Sequence, residues 1–186
     1  MYMGFQINLA TILVITGLAL ILYGGILAYK FIFFKDYRFK LSSLFLDIMI
    51  VLSLIGVFLL TLSPVQGFQL QPVYLSANLV PFNNIMEMFA FSTNETIIRM
   101  VGGNIVLFMP FIFFLTLRMA GSFSLLRIIL IGITLSLFIE TLQLFHPLRQ
   151  TNVDDVILNS LGVILGVLLA LIFKRLTGFR GGKNFG

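Results

Sequence analysis

The sequence predicts an all-α integral membrane protein: about five transmembrane helices, with an extracytoplasmic interfacial segment between helices 2 and 3. Composition is the first observation behind this class, with 59% hydrophobic residues and only 10% charged ones and a mean hydropathy of +1.09. Such a balance lies outside that of ordinary soluble domains. The second is the division of the apolar residues into five windows, each close to the roughly 20 residues that cross hydrocarbon as a helix. The third is one long connection, from Pro64 to about Arg99, that is too apolar for a disordered loop.

In order, the windows run from about Leu9 to Phe34, Leu44 to Ser63, Met100 to Leu117, Ile128 to Phe145, and Val156 to Phe173. They mix Gly, Thr, Asn and Pro with Leu, Ile and Phe and lack the short alternation of barrel strands. No basic residue precedes the first window and no small-residue cleavage site follows it, so it reads as a retained helix rather than a signal peptide. Residues 1–43 then form an N-terminal helix and basic loop, 44–173 a membrane domain, and 174–186 a basic tail. The helices differ in length, polar content and loop size, so an inverted-repeat transporter layout is unsupported.

Short cytoplasmic loops collect Lys and Arg, and the charge pattern assigns sides. Lys30, Lys35, Arg38 and Lys40 fall in the first loop, Arg118 and Arg127 in the third, and Lys174, Arg175, Arg180 and Lys183 in the tail. These are ten of the twelve basic residues; Arg99 and Arg149 fall on the other side. The expected orientation is N-terminus out, C-terminus in. The pI of about 9.8 therefore reflects membrane anchoring. No nucleic acid is expected as a partner, because the basic residues form no continuous face. The absence of cysteine excludes disulfides and thiolate chemistry.

Within the long connection, Phe82, Ile85, Met86 and Phe89 recur at helical spacing, giving one apolar stripe on a short helix that starts just after Pro81. The stripe either contacts membrane lipid in the outer headgroup layer or packs on the bundle as a lid. Asn78 to Pro81 forms its lead-in turn. Polar residues gather at the same depth: Arg99 and Asn104 at the outer end of helix three, Glu140 and Gln143 at that of helix four, and Asp154, Asp155 and Asn159 opening helix five. Glu140 and Gln143 share a face, as do Asp155 and Asn159. That second face continues through Gly162 and Gly166, a spacing that admits a close neighbour and turns the carboxylates into the bundle. Pro110 is expected to kink helix three, with or without a cleft beneath Asn104. Asp47, near the inner end of helix two, is expected to pair with Lys40 or another basic group.

The strings Asn78-Leu79-Val80-Pro81-Phe82, Gly103-Asn104 through Pro110-Phe111, Glu140-Thr141-Leu142-Gln143, and Arg149 through Asp154-Asp155 to Asn159 and Gly162, in that order, resemble the VanZ-like family. The resemblance implies a small multi-pass protein of the bacterial cytoplasmic membrane, in a family whose founding member is associated with low-level resistance to the glycopeptide teicoplanin. It carries over motif positions Asn78, Pro81, Phe82, Gly103, Asn104, Glu140, Gln143, Arg149, Asp154, Asp155 and Asn159. Two departures stand out: Asn152 where the family commonly has an acid, and His146-Pro147-Leu148 where it has a glycine-rich turn. The missing carboxylate weakens a multivalent-metal reading, and His146 alone does not make a metal site.

The expected ligand-binding set is thus Asn78, Pro81, Phe82, Arg99, Asn104, Glu140, Gln143, Arg149, Asp154, Asp155 and Asn159. A non-enzymatic role is expected, in which this set binds a lipid-linked wall precursor or a glycopeptide antibiotic and lowers teicoplanin susceptibility. Arg99 or Arg149 would pair with a phosphate or carboxylate. Two alternatives stay open. One is a membrane enzyme using Glu140, Asp154 and Asp155 for acid/base work, or for holding Mg²⁺ or Ca²⁺. The other is a proton-coupled transporter with Glu140 as the carrier. A purely structural reading makes Asn152 the helix cap, Asp154 and Asp155 first-turn charges and Arg149 their counter-ion. It leaves Glu140, Gln143, Asn104 and Asn159 at one depth unexplained.

Overall fold

A computed structural model describes residues 40–62, 77–119, 123–144 and 151–179, together with Gly24. The first predicted helix, most of the first basic loop, His146, Arg149 and the end of the tail lie outside the described residues. Four described helices are long and apolar enough to span a membrane. They are α1 (Leu41–Leu62), α3 (Asn94–Met119), α4 (Leu125–Gln143) and α5 (Val153–Thr177). Between α1 and α3 lies the short α2 (Asn83–Phe91). The protein is an all-α, multi-pass membrane protein.

The helix ends follow local chemistry that hydropathy does not weigh. α3 begins six residues before its predicted window because Thr93 caps it, accepting the Thr96 N–H, although Asn94, Glu95 and Arg99 lower its mean hydropathy. Ser124 caps α4 in the same way through the Arg127 N–H, and Asn152 caps α5. At the far end of α5, Gly178 takes φ 65°, the left-handed conformation that commonly stops a helix. Inside the spans, several hydroxyls are satisfied by their own helices: Thr61 donates to the Val57 carbonyl and Ser160 to that of Val156.

The most extensive contact is α3 against α5; α1 packs on α3, and α4 on α5. On α5 the buried face repeats every turn as Asn159, Gly162, Val163, Gly166, Val167 and Ala170, while Leu161, Ile164, Leu168 and Ile172 point outward. Small residues inside and large ones outside fit a bundle whose packing, not water exclusion, draws the helices together. A Cβ on Gly162 would lie 2.1 Å from the Ile105 carbonyl oxygen, and one on Gly166 would lie 2.8 Å from that of Met109. The predicted inward face therefore packs its glycine backbone directly against the backbone of α3. Phe108, Phe111, Ile112, Ile128 and Ile139 complete the core with Val57. Pro110, together with Val106, whose carbonyl loses its intrahelical donor, is exposed on the face of α3 away from α5.

Charge divides the bundle into a basic end, with Lys40, Arg118, Arg127, Lys174 and Arg175, and an acidic end. At the basic end Asp47 finds its partner on another helix: Arg118 Nε donates to Oδ1 at 2.7 Å, with both side chains less than one-fifth exposed. A double-mutant cycle with Asp47→Ala and Arg118→Ala, read by unfolding in detergent, is expected to show coupling of about 1 kcal/mol or more, above the range of exposed pairs. Additive effects would mean the pair contributes nothing to α1–α3 packing.

Candidate functional site

The acidic end is organised around the first turn of α5. Asn152 accepts the Asp154 N–H on its Oδ1 at 3.1 Å and so starts the helix. Residues Thr151–Asn152 also pair in parallel with Ala77–Asn78, forming a two-residue ladder, β1 (Ala77–Asn78) with β2 (Thr151–Asn152). That pairing brings the lead-in to α2 alongside the lead-in to α5. Asn78 Oδ1 accepts the Val80 N–H at 3.2 Å, a side-chain turn that reverses the chain, and Phe82 then adopts φ 65°. A bulky residue rarely takes that conformation, and something must hold it there.

Asp154 is what holds it. The side chain is fully buried, and its carboxylate accepts the Phe82 N–H on Oδ1 at 2.5 Å and the Ile85 N–H on Oδ2 at 3.0 Å. Phe82 is the N-cap residue of α2, so one carboxylate from α5 satisfies two N–H groups that the start of α2 would leave open. Two helix N-termini thus meet at a single anion, each favouring negative charge.

The remaining polar residues brace this junction. Asn104 Nδ2 donates to Asp155 Oδ1 at 2.8 Å, linking α3 to α5. Glu140 is buried; its Oε2 accepts the Asn152 N–H at 3.1 Å, and its own carbonyl accepts the Thr151 hydroxyl at 2.9 Å. Gln143 Nε2 donates to the Thr61 carbonyl at 3.0 Å, tying α4 to the end of α1. One turn deeper, Asn159 Nδ2 donates to Ser136 Oγ at 3.0 Å. Asn159 Oδ1 is buried and has no partner among the described residues, a vacant acceptor in a site otherwise closely satisfied.

Of the predicted residues, Asn78, Phe82, Asn104, Glu140, Gln143, Asp154, Asp155 and Asn159 come together at the acidic end of the bundle. Pro81 is exposed in the turn before α2. Arg99 is exposed on a π-helical turn, Ile98–Gly102, that precedes Asn104 in α3. Arg149 lies outside the described residues. Sequence reasoning missed Ser136 as the partner of Asn159, though it sits four residues before Glu140 on the same face. It also missed Thr151 and the π turn; such turns recur at functional sites. Among the described residues no group of three or more His, Cys, Asp and Glu is arranged to hold a metal ion.

No residue of α2 is buried. Of the predicted stripe, Phe82, Met86 and Phe89 are each more than half exposed and Ile85 is partly buried, so the described bundle leaves most of the stripe uncovered. The helix is held at its N-terminus by Asp154 and presents an apolar face beside the polar junction. A family model described as VanZ/LLP1 matches residues 20–174, from before α1 into the last turns of α5. No curated protein and no solved structure matches the chain.

Proposed function

Since the chain belongs to the VanZ/LLP1 family, we propose that it binds an amphipathic, anionic ligand of the cell envelope at the acidic end of its bundle. The ligand is a lipid-linked wall precursor or a glycopeptide antibiotic, and binding lowers susceptibility to teicoplanin. This end faces outward from a bacterial cytoplasmic membrane, with the N-terminus out and the C-terminus in, as the basic loops favour. The observation that carries the reading is the exposed apolar face of α2, hung on Asp154 within the same junction as the half-buried Asn104–Asp155 pair and next in sequence to the π turn that presents Arg99. A lipid tail or hydrophobic substituent would lie along Phe82, Met86 and Phe89. Arg99, with Arg149, would take the phosphate or carboxylate, and Asn104 and Asn159 would offer amide contacts.

Binding is preferred to catalysis because two of the three candidate acids, Asp154 and Glu140, already have backbone work. Both Asp154 oxygens accept N–H groups of α2, and Glu140 accepts that of Asn152. Metal-assisted or acid/base chemistry at Asp154 or Glu140 would compete with those bonds. In cells expressing the chain at matched membrane levels, we expect protection against teicoplanin and lowered surface binding of fluorescent antibiotic. Both are expected to fall at least several-fold in Asp155→Asn, which keeps a polar partner for Asn104, and in Arg99→Ala. No protection by the unaltered chain, with no retention of labelled glycopeptide or wall precursor by the purified protein, would overturn the reading.

A further inference from the structure

The basic end carries a second, separate feature. A groove of about 570 Å³ opens between the start of α1, the end of α3 and the end of α5, a volume within the range of ligand sites. Its lining is almost wholly apolar, dominated by Phe45, Phe113, Phe114, Phe173 and Phe179 with Leu41 at its edge. The rings are organised, since Phe113 meets Phe114 edge-on at 5.2 Å and Phe173 at 5.7 Å, and Phe179 closes on Phe173 at 6.1 Å. Phe45, Phe173 and Leu41 nevertheless keep more than a third of their surface exposed. The aromatic wall is thus built but left open on one side.

The helix ends that border the groove carry charge of one sign. Lys40 immediately precedes Leu41, and Lys174 and Arg175 immediately follow Phe173. Asp47 is the one described acid at this end, and Arg118 engages it. No described residue pairs with Lys174 or Arg175. An apolar slot between helix ends that carry Lys40, Lys174 and Arg175, at the level where spanning helices leave the hydrocarbon, matches a molecule with an acyl chain and an anionic headgroup. We infer that this groove is a specific site for an anionic phospholipid of the leaflet at the basic end, with one acyl chain along Phe113 and Phe173 and the headgroup phosphate on Lys174 and Arg175. The site holds the ends of α1, α3 and α5 together and is independent of the acidic-end junction.

The full chain is reconstituted in phosphatidylcholine vesicles containing trace spin-labelled phosphatidylglycerol or spin-labelled phosphatidylcholine, and the motionally restricted lipid is measured. Phosphatidylglycerol is expected to be restricted several-fold more than phosphatidylcholine. The double variant Lys174→Gln, Arg175→Gln should bring the two lipids to parity. Ser42→Trp, at an exposed position on the groove wall, should abolish the restricted component of phosphatidylglycerol while leaving the protein folded by circular dichroism. Equal restriction of both lipids by the unaltered chain would overturn the proposal, as would selectivity that survives both variants. The chain has no cysteine, so Ser42→Cys gives a unique handle. A disulfide from it to a second cysteine in residues 9–34, or to Ser42→Cys of another copy, would show the groove filled by protein and equally overturn it.

Discussion

Replacing Gly162 with alanine is expected to abolish the close α3–α5 contact and to yield a protein that unfolds far below the unaltered chain, or fails to accumulate. The added methyl would stand 2.1 Å from the Ile105 carbonyl oxygen and 3.0 Å from its carbon. The obstacle is backbone, so no rotamer change relieves it and one helix must shift. Overpacking of this kind costs roughly 3 kcal/mol, at the upper end of its usual range. Widening the gap would also loosen the flanking contacts of Gly166 and Gly132, whose own Cβ positions meet Ile112 and Val163. The matched controls are Gly56→Ala and Gly102→Ala, where nothing lies within 4 Å, and they should unfold with the unaltered chain. Thermal unfolding in detergent, followed by size-exclusion fluorescence, makes the comparison. A Gly162→Ala protein as stable as the controls would mean that the helices do not approach as described.

Removing the Asp154 carboxylate should have the second large effect, and a local one. In Asp154→Ala the Phe82 and Ile85 N–H groups lose their acceptor. Two charge-assisted bonds in a buried setting correspond to about 3 kcal/mol. A nine-residue helix has no capacity to persist alone, so α2 should lose its structure while the bundle stays intact. Hydrogen exchange is the appropriate measurement: amides of residues 83–91 should lose protection in Asp154→Ala, and those of Phe108 to Ile112 should keep theirs. Asp154→Asn retains one acceptor oxygen and should fall between. If residues 83–91 exchange equally slowly in all three proteins, Asp154 is not what holds α2.

Both expectations concern residues already singled out in the sequence, yet only the first had its structural role legible there. The Gly162-to-Gly166 spacing on a face with Asp155 and Asn159 encodes a close helix contact, because periodicity alone places those residues together. The role of Asp154 depends on an N–H group 72 positions away, and no local pattern records such a pairing. Asn152 was readable as a cap since its target lies two residues on. Asp47 was readable as an ion-pair partner, but its bond to Arg118 arises from how α1 crosses α3. Ser136 stayed hidden because a lone serine in an apolar run looks like a hydroxyl bonded to its own helix, which is what Ser160 proves to be. The short ladder at Ala77 and Thr151 was invisible because two residues carry no alternation.

The Asp154 junction also sets a timetable for biogenesis. The chain emerges N-terminus first, so α2 is synthesised some seventy residues before the carboxylate that caps it and the strand residues, Thr151 and Asn152, that pair with its approach. Until α5 has been inserted, Phe82 has no reason to adopt its left-handed conformation and α2 has no anchor. Completion of α5 is therefore the event that assembles the acidic end. A nascent protein halted in the loop after α4 could have its first spans in place and still lack the junction, which forms only once α5 has been made.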